Sequence, residues 1–271
     1  MISVIIVNFR AYPELNDCLD SLVTSQEDLE VIVIDNGSLK NEFNALSLKY
    51  KGNGRFRFYP KEDNPGFPAA ANLGYKYSSG EILLFLNPDI VAGPNTLKMA
   101  LDYFNEDAPG VLGCMHLSPD QRVQISFGYF PTLSRELKWK RLWNLRDSDY
   151  DLFTKRIAAF LSEPVEVDWV SGSFMMISRK LFEETGGFNE EYFMYFEDIE
   201  LCRKVKYLKK NVVFNPKIHV LHYHGKSAEK NKKTSRAEYR KSQLNYYRKF
   251  NNFFQNCILK LYLWFNRFEN V

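Results

Sequence analysis

Residues 3–8 and 29–34 are two nearly unbroken apolar, largely β-branched runs, Ser3-Val4-Ile5-Ile6-Val7-Asn8 and Leu29-Glu30-Val31-Ile32-Val33-Ile34. Each ends at a polar residue, Asn8 or Asp35. Runs without polar alternation are the pattern of strands buried on both faces, which occur in sheets covered by helices on either side. Between them, Pro13 suits the first turn of a helix, and Leu15, Leu19 and Leu22 give that helix one apolar face. The alternation continues with a helix near Asn41–Tyr50, a strand over Arg55–Tyr59 and a turn over Asp63–Pro68. Next come a helix over Ala69–Ser78 stopped by Gly80, a strand over Ile82–Leu86, a helix over Thr96–Phe104 and a strand over Val111–Met115. The expectation is an α/β fold with a mainly parallel central sheet flanked by helices. Ligands bind beyond the carboxyl ends of such strands. Asn8, Asp35 and Asp89 all fall there.

The second half is less regular. From Leu117 to Pro164 the chain is rich in Trp, Arg and Asp and carries no clear period. A strand pattern resumes over Val165–Ser178, a helix is expected over Phe196–Leu208, and Val212–Phe214 and Ile218–Leu221 read as two short strands. With 45% hydrophobic and 25% charged residues in 271, a sizeable core is affordable and global disorder is excluded. Cys18, Cys114, Cys202 and Cys257 are widely spaced, so they read as small apolar residues, not as a zinc site or disulfide framework. Met1–Asn8 has neither a basic lead nor a cleavage site, which points to the cytoplasm.

Charge is distributed unevenly. Residues up to Cys202 carry 19 Lys and Arg against 30 Asp and Glu; those from Arg203 onward carry 17 against 3. An acidic body with a basic tail predicts an anionic partner for the tail. After the basic stretch, Tyr247, Phe254, Ile258, Leu261, Phe265 and Phe268 recur at helical spacing, as in an amphipathic helix. No apolar run reaches the length of about 18 residues needed to cross a bilayer, so a helix lying in the membrane interface is expected. The competing reading packs that helix on the body or on a second copy in a homodimer. An acidic body without a helix-turn-helix or zinc pattern argues against nucleic acid as the partner.

Several polar residues are candidates for chemistry. Asp35 can accept hydrogen bonds from a ribose or base, or cap the following helix. Asn87-Pro88-Asp89 places a carboxylate where Mg²⁺ or Mn²⁺ could be held on a diphosphate, or forms an ordinary turn. Glu197, Asp198 and Glu200 follow the aromatic run Phe193-Met194-Tyr195-Phe196. They suit the start of a helix, or supply a general base beside apolar walls. His222 and His224 offer a metal ligand or phosphate donor.

Taken in order, the motifs resemble the inverting glycosyltransferases of family two, which have the GT-A fold. The resemblance runs from Val4 to Ser227 through Val4–Phe9, Val33–Ser38, Asn64–Phe67, Ala71–Gly74, Leu86–Asp89, Trp169–Gly172, Gly186–Glu190, Phe193–Cys202 and His222-x-x-Gly225-x-Ser227. The Asn87-Pro88-Asp89 form and the Phe193–Asp198 run are most similar to the rhamnosyltransferase branch.

The resemblance implies roles. Asn8 and Asp35 would hold the nucleoside, Asn64 and Phe67 would line the donor pocket, and Asn87 lies in the donor motif. Asp89 would bind Mg²⁺ or Mn²⁺ on the diphosphate, with His222, or else His224, as a further ligand. Asp198 would be the general base, Glu197 would position the acceptor, and Trp169 and Gly172 would shape the acceptor side. The wider fold has an acid where this chain has Asn87, which leaves Asp89 as the only strong ligand of its motif. It further implies a glycosyltransferase domain over 1–228 (a nucleotide half to about 116, an acceptor half over 117–228) and a helical tail over 229–271. The expected reaction moves L-rhamnose from dTDP-rhamnose to a saccharide on a polyprenyl diphosphate, at the inner face of the cytoplasmic membrane. Rival readings are a UDP-hexose or UDP-N-acetylhexosamine donor, and a non-catalytic binding protein.

Overall fold

The computed structural model describes residues 1–37, 39–223 and 232–265. Its strands are β1 (Ile2–Asn8), β2 (Leu29–Asn36), β3 (Phe56–Lys61), β4 (Ile82–Leu86), β5 (Ile90–Ala92), β6 (Val111–Leu117), β7 (Val123–Gln124), β8 (Phe127–Gly128), β9 (Val165–Glu166), β10 (Trp169–Val170), β11 (Phe174–Ser178) and β12 (Val212–His222). The helices are α1 (Tyr12–Val23), α2 (Lys40–Tyr50), α3 (Phe67–Tyr77), α4 (Thr96–Asp107), α5 (Leu133–Ser148), α6 (Tyr150–Ile157), α7 (Arg179–Glu184), α8 (Glu197–Tyr207), α9 (Lys232–Phe250) and α10 (Phe253–Phe265).

One sheet runs β3-β2-β1-β4-β11-β6-β12-β5, with β7 on β6 and β9 on β12. The β3-β2-β1-β4 part is parallel, as expected. The expectation of a mainly parallel sheet fails beyond it. β11 is antiparallel to both β4 and β6, β5 and β9 are antiparallel to β12, and only β12 and β6 restore parallel pairing. The sheet is therefore mixed. Strand direction depends on connections through the irregular middle, where the sequence carries no period.

Pleating sorts the apolar runs between two faces. Ile2, Val4 and Ile6 pack with Leu15, Leu19 and Leu22 of α1 and with Leu97, Ala100 and Phe104 of α4. Ile5 and Val7 face the other way, toward Ala70 and Ala71 of α3, Phe182 of α7 and Leu201 and Val205 of α8. Each fully buried Leu, Ile or Phe contributes about 1.5–3 kcal/mol of transfer free energy, so this two-sided layer holds the strand ends firmly.

Two local readings change. The stretch over 117–164 contains α5 and α6. No residue of α5 is buried, so it bears no apolar stripe to read. The two short strands are one strand, β12, with an irregularity between Asn215 and His219. Pro216 lacks the amide that ladder pairing needs, which accounts for the break.

The expected single apolar stripe of the tail is also divided, because Asn251 and Asn252 separate α9 from α10. Tyr246 and Tyr247 of α9 are buried with Phe196 and Ile199 of the body. Phe254, Ile258 and Leu261 of α10 are exposed. The Phe265 side chain and Phe268 lie outside the described residues. Three of the four cysteines are buried, as their apolar reading requires.

Candidate functional site

The sheet register builds the first part of the site. Asn8 and Asp35 are neighbours across β1 and β2. Asn8 Nδ2 donates to Asp35 Oδ1 at 2.7 Å, and the Tyr12 hydroxyl donates to Asp35 Oδ2 at 3.0 Å. Asp35 is 2% exposed, so its carboxylate is held in one orientation at the strand end. Beside it, Asn36 Nδ2 donates to Asn64 Oδ1 at 2.7 Å, and the Gly66 amide donates to the same oxygen at 3.1 Å. Asn64 thus shapes its turn through its carbonyl. Phe67 follows, with its amide on the Phe193 carbonyl at 2.8 Å.

The second part lies one strand over. Pro88 turns the chain after β4, and antiparallel pairing of β5 with β12 sets Ile90 opposite His222. Asp89 and His222 are thereby brought together, Nε2 to Oδ1 at 3.4 Å, and the Tyr223 amide donates to the Asp89 carbonyl at 3.0 Å. Among the described residues no cluster of three or more His, Cys, Asp or Glu could hold a metal. A buried carboxylate–imidazole pair still fits Mg²⁺ or Mn²⁺, which take one or two protein ligands and complete their shell with phosphate and water. His224 lies outside the described residues.

A cavity of about 60 Å³ opens beside His222, lined also by His116, Trp143, Arg146, Ser171 and Ser173. The Arg146 guanidinium lies 4.6 Å over the Trp143 ring. The sequence reading missed both. Their signal, an i, i+3 aromatic–cation pair, lies within the stretch that lacked a period.

The third part is acidic. Asp198 opens α8, where its Oδ2 accepts from the Gly172 amide at 3.0 Å and its Oδ1 from the Ile199 amide at 2.8 Å. A Cβ added at Gly172 would lie 3.5 Å from Asp198 Cβ and 3.8 Å from Phe67. Phe67, Gly172 and Asp198 therefore meet. The loop 171–173 serves both sides, since Ser171 and Ser173 line the cavity next to His222 while Gly172 holds Asp198. Asn87 is tied to the same loop by its amide on the Ser173 carbonyl at 2.9 Å. Trp169 donates its indole N–H to the Tyr129 carbonyl at 3.1 Å, which fixes the ring as a wall.

Burial raises the Asp198 carboxyl above the ordinary aspartate value, partly offset by the Gly172 and Ile199 amides. Glu197 is 7% exposed, and its Oε2 has no hydrogen-bond partner among the described residues. Burial first, and then the Asp198 charge, push its carboxyl well above the usual range. Tyr195 and Phe196, directly before it, both sit at φ 69°, a left-handed conformation that side chains of this size rarely adopt. Such strain is retained where the surrounding structure enforces it, commonly at sites of function.

A raised folded-state pKa means that stability associated with protonated Glu197 is present below the ordinary glutamate range and lost as pH rises through the folded value. Glu197→Gln removes that loss. Thermal melts should show the variant more stable than wild type at pH 8, by roughly 1–3 kcal/mol, with a smaller gap at pH 5. A gap independent of pH would assign the effect to another group.

Comparison with known proteins places the fold. The fold matches a mannosyltransferase from Pyrobaculum calidifontis in complex with GDP-Man and Mn²⁺, with TM-score 0.64, 16% identity and coverage of 92% of this chain and 63% of that one. It also matches S. aureus TarS residues 1–349, with TM-score 0.60, 19% identity and coverage of 90% and 64%. The chain spans less than two thirds of either. The architecture is that of a GT-A type glycosyltransferase. Residues 3–186 match the profile of Glycosyl transferase family 2, and the chain belongs to that family. It is similar to an N-acetylglucosaminyl-diphospho-decaprenol L-rhamnosyltransferase of Mycobacterium tuberculosis, 28% identical over 260 residues, covering 89% of this chain and 82% of the relative. It is also similar to the rhamnosyltransferase WbbL of Escherichia coli K12, 27% identical over 230 residues, covering 82% and 83%. Family and fold make this chain a nucleotide-sugar glycosyltransferase.

Proposed function

We propose that the chain is an inverting rhamnosyltransferase that moves L-rhamnose from dTDP-rhamnose to a saccharide on a polyprenyl diphosphate, in bacterial cell-surface polysaccharide synthesis. The observation that carries the catalytic part is the meeting of Phe67, Gly172 and Asp198 beside the loop that also borders His222. The rhamnose assignment rests on the two rhamnosyltransferase relatives and on the Asn87-Pro88-Asp89 and Phe193–Asp198 motifs.

Asp198 is the general base. Two backbone amides aim its carboxylate, and burial strengthens it as a proton acceptor. It takes the acceptor hydroxyl proton as that oxygen attacks the anomeric carbon opposite the leaving diphosphate. One displacement inverts the centre, and no side chain forms a covalent intermediate. Asn8, Asp35 and Tyr12 form a prearranged cradle for the nucleoside, with Asn64 and Phe67 along the donor pocket and Asn87 beside the diphosphate. Glu197 is the acceptor-positioning acid, and Trp169 walls the acceptor side. Asp89 and His222 would hold Mg²⁺ or Mn²⁺, which supplies charge neutralisation on the diphosphate. Arg146, braced on Trp143 and paired with Asp147 at 2.9 Å, brings a guanidinium to that side.

On this reading residues 1–228 are the glycosyltransferase unit and 229–271 the tail, whose described part is α9 and α10. No described helix is long and apolar enough to cross a membrane. Along α10, Phe253 and Phe254 are each 75% exposed, and Ile258, Leu261 and Trp264 are more than half exposed. That apolar arc next to basic residues suits peripheral attachment to the inner face of an anionic membrane.

The test is a screen for release of nucleoside diphosphate from several sugar nucleotides, with and without Mg²⁺ or Mn²⁺ and with a lipid-linked acceptor. Metal-dependent turnover of dTDP-rhamnose is expected, reduced on the order of 10²–10³-fold in Asp89→Asn. Preference for a UDP-hexose or UDP-N-acetylhexosamine would overturn the rhamnose assignment.

A further inference from the structure

A second, larger cleft of about 570 Å³ lies on the tail side of the molecule, between α9, α10 and the segment around Phe193. Its lining includes Lys241, Ser242, Asn245 and Arg248 of α9 and Lys260 of α10. Lys241, Asn245 and Arg248 recur at helical spacing, so they face the cleft together. The acid on the rim, Glu191, is engaged by Lys249 at 2.6 Å, and Lys241 lies 3.8 Å from Glu238; the lining itself carries three cations against that one paired acid.

Two features tie this cleft to its surroundings. Ser242 donates to the Met194 carbonyl at 2.8 Å, and the neighbouring Phe193 carbonyl accepts the Phe67 amide, so the cleft borders the segment that leads into the strained Tyr195–Phe196 turn before Glu197 and Asp198. On the other side, Lys260 is one helical turn from Trp264 and two from Phe253, both more than half exposed. The cation therefore stands at the border of the exposed apolar arc. A phosphate group at a membrane surface would meet this cleft with its ester chain directed toward apolar side chains and its charge toward Lys241, Arg248 and Lys260.

We infer that the cleft between α9 and α10 binds the diphosphate of the lipid-linked acceptor through Lys241, Arg248 and Lys260. This rests on the lipid-linked reading of the acceptor given above. Arg supplies a forked donor for phosphate oxygens, and the two lysines supply point charges.

The test uses the full chain and farnesyl diphosphate as probe, titrated by calorimetry with saturating dTDP to occupy the donor side. Lys241→Gln/Arg248→Gln/Lys260→Gln is compared with Lys40→Gln/Lys51→Gln/Lys98→Gln, an equal charge change on exposed residues elsewhere. Binding to wild type and to the control triple, with at least a tenfold loss in the cleft triple and unchanged dTDP affinity, is the expected result. Equal affinity in all three proteins overturns the assignment. So does binding to phosphatidylglycerol vesicles without binding to farnesyl diphosphate, which would give these charges to the bilayer surface. Should the donor screen favour a uridine-linked sugar, saturating UDP replaces dTDP in the titration, so the two ideas fail separately.

Discussion

Asp198→Asn should lower kcat for sugar transfer by about 10²–10⁴-fold, the usual worth of a positioned general base, while leaving donor KM nearly unchanged. Asparagine keeps an oxygen that can accept from the Gly172 or Ile199 amide, so loop 171–173 and the start of α8 should keep their geometry. What is lost is the ability to take the hydroxyl proton. Steady-state kinetics with dTDP-rhamnose and acceptor, beside a thermal melt, checks both parts. Wild-type kcat in the variant would remove Asp198 from the mechanism; a large rise in donor KM would instead make it a binding residue.

Gly66→Ala should destabilise the fold and weaken donor binding together. Gly66 has φ 94°, and a Cβ there would lie 2.3 Å from the Phe193 carbonyl oxygen. The contact is with backbone, so no side-chain rotation relieves it. Left-handed strain costs about 1–3 kcal/mol, and forced separation of packed backbone adds roughly 1–3 kcal/mol. The Phe67 amide would lose its carbonyl partner, and the ring would leave the position it shares with Gly172 and Asp198. A fall in melting temperature of about 4 °C or more, with a raised donor KM, is the expected pair of results. An unchanged melt would mean that the 193 segment yields freely.

The parallel half of the sheet was legible because each residue of β1 and β2 is buried, and burial on both faces leaves an unbroken apolar run. Asn8, Asp35 and Asp89 were legible for the same reason, since a polar residue ending such a run marks the strand end. The motif order added Asp198 and Gly172 as candidates but not their contact, which joins residues 26 apart. Trp143 and Arg146 were hidden because α5 buries no residue. Tyr247 and Phe254 looked equivalent along one helical stripe, yet one is buried in the body and the other is 75% exposed.

The sequence by itself determined the α/β class, the strand-end positions of the polar residues and the family to which their order belongs. These are local properties, set by periodicity and by residues close together in the chain. Only the tertiary structure decided the antiparallel insertion of β11, the pairing of Asp89 with His222, the arrival of α5 at the cavity and the division of the tail into a packed helix and an exposed one. Each depends on which surfaces meet across long separations. That choice is made by packing and strand pairing over the whole chain, and no window of neighbouring residues records it.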